Sequence, residues 1–172
     1  MLLRHASADV QGFNQENDHE KPLDNQGKID SKNLSEWLKN NFVDMDLIIS
    51  SDAIRAVQTS EIVFTPLGIS FEKNSSFYLC NYEEIFSTIK RLDEEINNVV
   101  IIGHEPSISD AMRALAGSVR PDLEKIFFAS YQPCTMSFIY FNKNTWKKLK
   151  EKEGTLEGYI TPQTIDMKNE KN

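Results

Sequence analysis

The run Val99–Gly103, Val-Val-Ile-Ile-Gly, constrains the fold more than any other segment. Four β-branched residues in a row lack the alternation of a strand with one wet face. Asn97-Asn98 before them and the glycine at their end limit the run to strand length. A strand that is apolar on both sides must be covered on both, so it calls for helices on either face of a mostly parallel sheet. The rest of the chain supplies them. A strand is expected at 1–3, a polar loop over 9–21, and a helix after Asp24, which can cap it, with Ile29, Leu34, Trp37, Leu38 and Phe42 on roughly one face. A strand over 46–50 precedes a helix over 53–63 that stops near Pro66 and Gly68, and 69–72 is a further short strand. Ile85, Ile89, Leu92 and Ile96 form one stripe of a helix over 83–97, and Pro106 and Gly117 bracket another. A strand over 135–141, a turn at 142–144, a pairing segment at 146–149 and a last strand over 155–160 complete the list. The order reads as α/β, with one domain over 1–162 and a polar tail over 163–172.

Bulk properties narrow the partners. The net charge of −7 repels nucleic acid, and no basic run interleaved with aromatics offsets it. No stretch approaches the roughly 20 apolar residues of a membrane span, and no basic-then-apolar leader opens the chain, so the expected location is cytoplasmic. Cys80 and Cys134 read as idle thiols. His5, His19 and His104 are scattered without cysteine neighbours, so neither a metal nor another cofactor is expected.

Three segments place reactive residues directly after expected strands: Leu3-Arg4-His5-Ala6, Ser50-Ser51-Asp52-Ala53-Ile54-Arg55 and Ile102-Gly103-His104-Glu105-Pro106. In open α/β sheets ligands gather at the carboxyl ends of the strands. Parallel neighbours would bring two arginines and two histidines into one anion-selective pocket. Singly, each residue has an ordinary role: a histidine as a structural hydrogen-bonder, Arg55 as a solvated helix residue, Glu105 and Asp110 as partners of a helix dipole.

With these segments in view, the chain resembles the histidine phosphatase superfamily, which includes the cofactor-dependent phosphoglycerate mutases, and within it the short SixA-type phosphohistidine phosphatases. LLRHA at 2–6 is similar to the LRHG signature, and DHEKPLDNQG at 18–27 to a D-x-x-R-P-L-T-x-x-G stretch. DLIISSDAIRAVQTSEI at 46–62 is similar to an SPxxRAxQTAE block, and VVIIGHEPSISD at 99–110 to VGHNPGLS. Departures are Ala6 for Gly, Lys21 for Arg, Asp24 for Thr, Asp52 for Pro, and Glu105 and Ser107 for Asn and Gly. Glu105 brings a negative charge beside the expected phosphate pocket.

The resemblance implies a three-layer α/β/α sandwich with a mostly parallel central sheet and one reversed edge strand. It implies His5 as a nucleophile that becomes phosphohistidine, with Arg4, Arg55 and His104 binding the phosphoryl oxygens. Longer members use a Glu as general acid between the second and third blocks, where Glu83 stands at an expected helix start. The implied substrate is a phosphorylated protein carrying phosphohistidine. Alternatives are a small phosphate ester, as for a phosphomonoesterase or mutase of the same superfamily, or a catalytically weak phosphate- or protein-binding module. Without a firm acid, phosphorus–nitrogen bonds are expected to be cleaved in preference to alkyl phosphate esters, because imidazole leaves without a proton more readily than an alkoxide.

Overall fold

The computed structural model describes residues 1–142 and 145–169. Strands β1 (Leu2–Arg4), β2 (Leu47–Ser51), β3 (Glu72–Asn74), β4 (Val99–Gly103), β5 (Ala116–Val119), β6 (Met136–Tyr140) and β7 (Gly154–Ile160) form one sheet in the order β3-β2-β4-β1-β6-β7-β5. The helices are α1 (Asn25–Asn40), α2 (Ile54–Phe64), α3 (Tyr82–Lys90), α4 (Ser107–Leu115), the single turn α5 (Glu124–Phe127) and α6 (Pro162–Asn169). No helix among the described residues is long and apolar enough to cross a membrane.

The central strand behaves as its sequence demands: all five residues of β4 are buried. Its side chains divide between two cores. Val100 and Ile102 join Leu3, Ile48, Leu34, Leu38, Val63 and Phe64 under α1 and α2. Val99 and Ile101 join Leu2, Ile49, Ile85, Ile89, Ile108 and Met112 under α3 and α4. This is the three-layer α/β/α arrangement. β6 is the one strand that runs against the others, pairing antiparallel with both β1 and β7. It lies inside the sheet, so the expectation of a reversed edge strand is corrected.

Other boundaries moved for local reasons. The stripe expected as a helix over 83–97 leaves the helix after Lys90. The Asp46 carboxylate accepts from Asn97 N and Asn98 N (2.9 and 2.7 Å) and draws the chain into β4, although Leu92 and Ile96 still pack on the same core. Residues 146–149 do not pair as a strand. Trp146–Lys148 is a 3-10 turn whose indole donates to Ile96 O at 2.6 Å. β5, which has no apolar alternation, was not expected. It forms because Gly117 allows the backbone of Lys152 to come close, where a Cβ would lie 1.8 Å from Lys152 O. Residues 163–169 of the expected tail lie in α6, with Ile165 buried beside α1. The turn expected at 142–144 falls largely outside the described residues.

The cap expected at Asp24 is present and serves two elements. Asp24 accepts from Gly27 N (2.7 Å) at the start of α1 and from Ser7 Oγ (2.6 Å) in the loop that leaves β1. Gly27 lets that loop lie on the helix, because a Cβ there would stand 2.1 Å from Ser7 O. Helix propensity favours alanine over glycine by about 1 kcal/mol, whereas overpacking against backbone costs about 1–3 kcal/mol. Gly27→Ala is therefore expected to lower the urea midpoint, and Lys28→Ala, at an exposed neighbour, to leave it nearly unchanged. A stabilised Gly27→Ala would show that the loop yields freely.

Candidate active site

β2, β4 and β1 are adjacent and parallel, so their carboxyl ends share one rim. Arg4 is the last residue of β1 and His5 the next. His104 follows β4, and Arg55 lies in the first turn of α2, just beyond β2. The expected residues meet there. The rings of His5 and His104 have centroids 4.9 Å apart, and Arg55 Nε donates to His5 Nε2 at 3.2 Å.

His5 has a defined tautomer. Its Nδ1 lies 2.7 Å from Ala6 O, which can only accept, so Nδ1 carries the proton. Nε2 is then the atom with the lone pair, consistent with its accepting from Arg55. Burial, with the charges of Arg55 and Arg4 adding to it, pushes the imidazole down to about 3, against the opposing pull of the Ala6 carbonyl. His104 is 5 % exposed, its Nε2 lies 2.9 Å from Ser51 Oγ, and burial with His5 and Arg55 pushes it down to about 2. Both rings are neutral near pH 7.

The two guanidiniums are held differently. Arg4 Nη1 donates to Tyr131 O at 2.6 Å. Arg55 uses every nitrogen: Nε to His5, Nη1 to Asp18 O (2.6 Å) and Nη2 to Asp18 Oδ2 (2.9 Å). Asp18 also takes Tyr78 OH (2.9 Å) and Lys21 Nζ (2.6 Å). Burial works against its ionisation, but Lys21, Tyr78 and Arg55 overcome this and hold its carboxyl well below the usual range. Lys21, a departure from the family pattern, thus has a place as a second cation, beside Arg55, on the same carboxylate. The remainder of the second block is scaffolding: Gln58 Oε1 accepts from Leu23 N (2.8 Å) and Thr59 Oγ1 from Ala6 N (3.0 Å).

Among the described residues, four buried side-chain polar atoms have no hydrogen-bond partner, and two of them are Arg4 Nε and His104 Nδ1. Unpaired buried polar atoms are costly. Two at one rim, beside a second arginine, form a place that an oxyanion would satisfy.

Glu83 joins none of this. It is exposed on the first turn of α3, and its side chain has no hydrogen bond or ion pair among the described residues. Glu105 turns its carboxylate onto α4, where Oε1 accepts from Ser109 N at 3.0 Å. Its charge still acts on Arg4, raising a guanidinium that burial lowers. Reasoning from sequence missed Asp18, His19, Ser51, Tyr78 and Tyr131. Asp18 stood inside a quoted motif, but nothing marked it as the anchor of Arg55. Tyr78 follows a short strand with no motif at all.

A histidine kept neutral by the fold is protonated more readily in the unfolded chain. Below the ordinary value of about 6.5 the unfolded state binds a proton that folded His104 refuses, so stability falls as pH falls from 6.5 towards 2. The expected slope from His104 is at most about 1.4 kcal/mol per pH unit, or about 2 kcal/mol between pH 6.5 and 5. Urea unfolding at pH 7 and pH 5 should show that loss in the wild type and less of it in His104→Gln. Equal losses would mean that His104 titrates normally in the folded protein.

The chain matches known proteins in sequence and in shape. Residues 1–85 match the family model of the histidine phosphatase superfamily (branch 1). An uncharacterized protein of Mycobacterium leprae (strain TN) is 26 % identical over 101 residues, which is 59 % of this chain and 62 % of that one. The chain thus spans about three fifths of the length of the curated relatives it matches. The fold matches the protein histidine phosphatase SixA in its tungstate complex with a TM-score of 0.77 at 20 % identity, over 95 % of this chain and 97 % of that one. It matches the putative phosphohistidine phosphatase SixA of Agrobacterium tumefaciens with a TM-score of 0.75 at 20 % identity, over 94 % and 96 %. A putative alpha-ribazole-5'-P phosphatase of Escherichia coli K-12 follows at 0.68 and 16 % identity, over 94 % and 96 %. The match over residues 1–85 takes in the Arg4-His5 and Arg55 blocks, and the described chain has the fold of the SixA structures.

Proposed function

We propose that this protein is a phosphohydrolase in which His5 Nε2 attacks phosphorus and forms a phosphohistidine that water then hydrolyses. The observation that carries the reading is the meeting of Arg4, His5, Arg55 and His104 on one rim, with Arg4 Nε and His104 Nδ1 buried and unpaired.

The chemistry follows from that geometry. Neutral His5 keeps its lone pair at pH 7, and the bond from Nδ1 to Ala6 O keeps it on Nε2. The phosphoryl oxygens gain charge-assisted donors from Arg4 and Arg55 and a neutral one from His104. Donors fixed in advance stabilise charge in the transition state without reorganising, and phosphoryl transfer depends mainly on positioning and electrostatics. Charge neutralisation needs no metal because the cations are part of the chain. Electrostatic attraction of the substrate is local, since the protein as a whole carries −7.

The substrate class in this proposal is protein-borne phosphohistidine. End-to-end likeness to the SixA structures supports it, with no long insertion left over to fold across the rim. An open rim suits a bulky phosphorylated protein better than a small metabolite.

Two measurements test the reading. Quenching turnover without acid, followed by mass spectrometry, should find phosphate on His5, and His5→Ala should abolish both label and turnover. Full activity in His5→Ala would overturn the nucleophile. Arg55→Lys is expected to lose about 10² or more in kcat/KM, the scale of removing one oxyanion donor, because one ammonium cannot bind Asp18 twice and face His5 as well. A near-normal Arg55→Lys would remove Arg55 from the phosphoryl site.

A further inference from the structure

A phosphatase of the proposed kind needs a proton donor for poor leaving groups. Arginines hold their protons too tightly. His5 and His104 are kept neutral by burial and flank the phosphoryl position. Asp18 is ionised and committed to Arg55, Tyr78 and Lys21. Glu83 has no partner among the described residues, and Glu105 is turned onto Ser109. One pair remains, His19 and Asp52.

His19 Nε2 lies 2.9 Å from Asp52 Oδ1. The carboxylate can only accept, so Nε2 carries the proton, and the second nitrogen, Nδ1, has no hydrogen-bond partner among the described residues. Both side chains are partly open to solvent, 40 % and 31 % exposed. The pair also belongs to the rim. His19 follows Asp18, the anchor of Arg55, and Asp52 follows Ser51, which bonds His104. The ring of Tyr78 meets His19 edge-on at 4.7 Å and His104 edge-on at 5.6 Å, with the Arg55 guanidinium 5.9 Å from its centre.

Resting on the phosphatase reading above, we propose that His19, oriented by Asp52, is the general acid and base of the reaction. In the first step His19 enters as the imidazolium, with Nε2–H on Asp52 and a second proton on Nδ1; His5 Nε2 forms a bond to phosphorus, the phosphorus–oxygen bond to the leaving group breaks, and His19 Nδ1–H gives its proton to the departing oxygen, leaving His19 neutral. In the second step His19 Nδ1 takes a proton from water as its oxygen bonds to phosphorus. The phosphorus–nitrogen bond breaks, inorganic phosphate leaves, and both histidines return to their starting states. Asp52 holds the tautomer and faces the imidazolium, the arrangement a carboxylate gives any histidine that must carry a proton through a cycle. With such a donor the chain accepts ordinary phosphate esters as well as phosphohistidine.

The test is the dependence of rate on the leaving group. The wild type, His19→Gln and Asp52→Asn are compared on p-nitrophenyl phosphate, phenyl phosphate, an alkyl phosphate and a phosphohistidine protein, and each variant is checked for the wild-type urea midpoint. Loss of an acid costs about 10²–10⁴ where the leaving group needs the proton. His19→Gln is therefore expected to lose at least about 10²-fold more on phenyl and alkyl phosphates than on p-nitrophenyl phosphate or phosphohistidine. Asp52→Asn should show the same trend with a smaller loss. A purely structural role would lower all substrates in parallel. Parallel losses, or none, while wild-type turnover still labels His5, would overturn the role of His19 alone. A wild type that turns over none of the four substrates, or never labels His5, would overturn the phosphatase reading and this proposal together.

Discussion

The pairing of β1 with β4 is the constraint on which the rest depends. Arg4 stands opposite Gly103 in a parallel ladder, so the next residue of each strand, His5 and His104, leaves the sheet at the same height. His5 N donates to Gly103 O at 3.1 Å, which fixes the first residue beyond the ladder as firmly as those within it. A slip of one residue would send Leu2 and Leu3 to each other's cores and turn the His5 ring to the opposite face. The two apolar cores therefore set the register, and the register brings the two imidazoles together.

The electrostatics follow from crowding. Two guanidiniums and two imidazoles share a small, poorly hydrated rim, and the folded chain meets this in two ways. It keeps the imidazoles uncharged by burial, and it sets one carboxylate, Asp18, against Arg55 and Lys21. Among the described residues Arg4 has no carboxylate within bonding distance. It is held by a carbonyl, Tyr131 O, with Glu105 acting only through its field. Arg4 therefore keeps more of its charge for a ligand than Arg55 does.

The sequence spoke clearly where one segment carried the whole signal. Four β-branched residues ending in glycine could be little else than a buried strand, and a residue directly after a strand end is located by the strand. That is why Arg4, His5, Arg55 and His104 could be named together. Asp24 was legible as a cap because capping is local. What was hidden depends on distant partners. Asp18 matters because Arg55 lies 37 residues away in sequence, and Tyr78 because it meets His104 and His19 across the rim. The helix over 83–97 was misread because the carboxylate that ends its path, Asp46, is 51 residues upstream of Asn97. β5 was missed because a bulged strand shaped by Gly117 has no period to read.

The contact between Arg55 Nε and His5 Nε2 has a consequence for the protein at rest. The lone pair that would attack phosphorus is occupied by the side chain that would also bind it. In the proposed role this leaves His5 chemically quiet until an anion arrives: a stray electrophile or a proton from solvent must first displace a guanidinium that Asp18 holds by two further bonds. A tetrahedral oxyanion can do this without leaving the guanidinium unpaired, because it offers Arg55 new acceptors at the moment the old one is lost. In that role, reactivity is tied to the arrival of the right charge and shape, and His5 Nε2 stays covered until then.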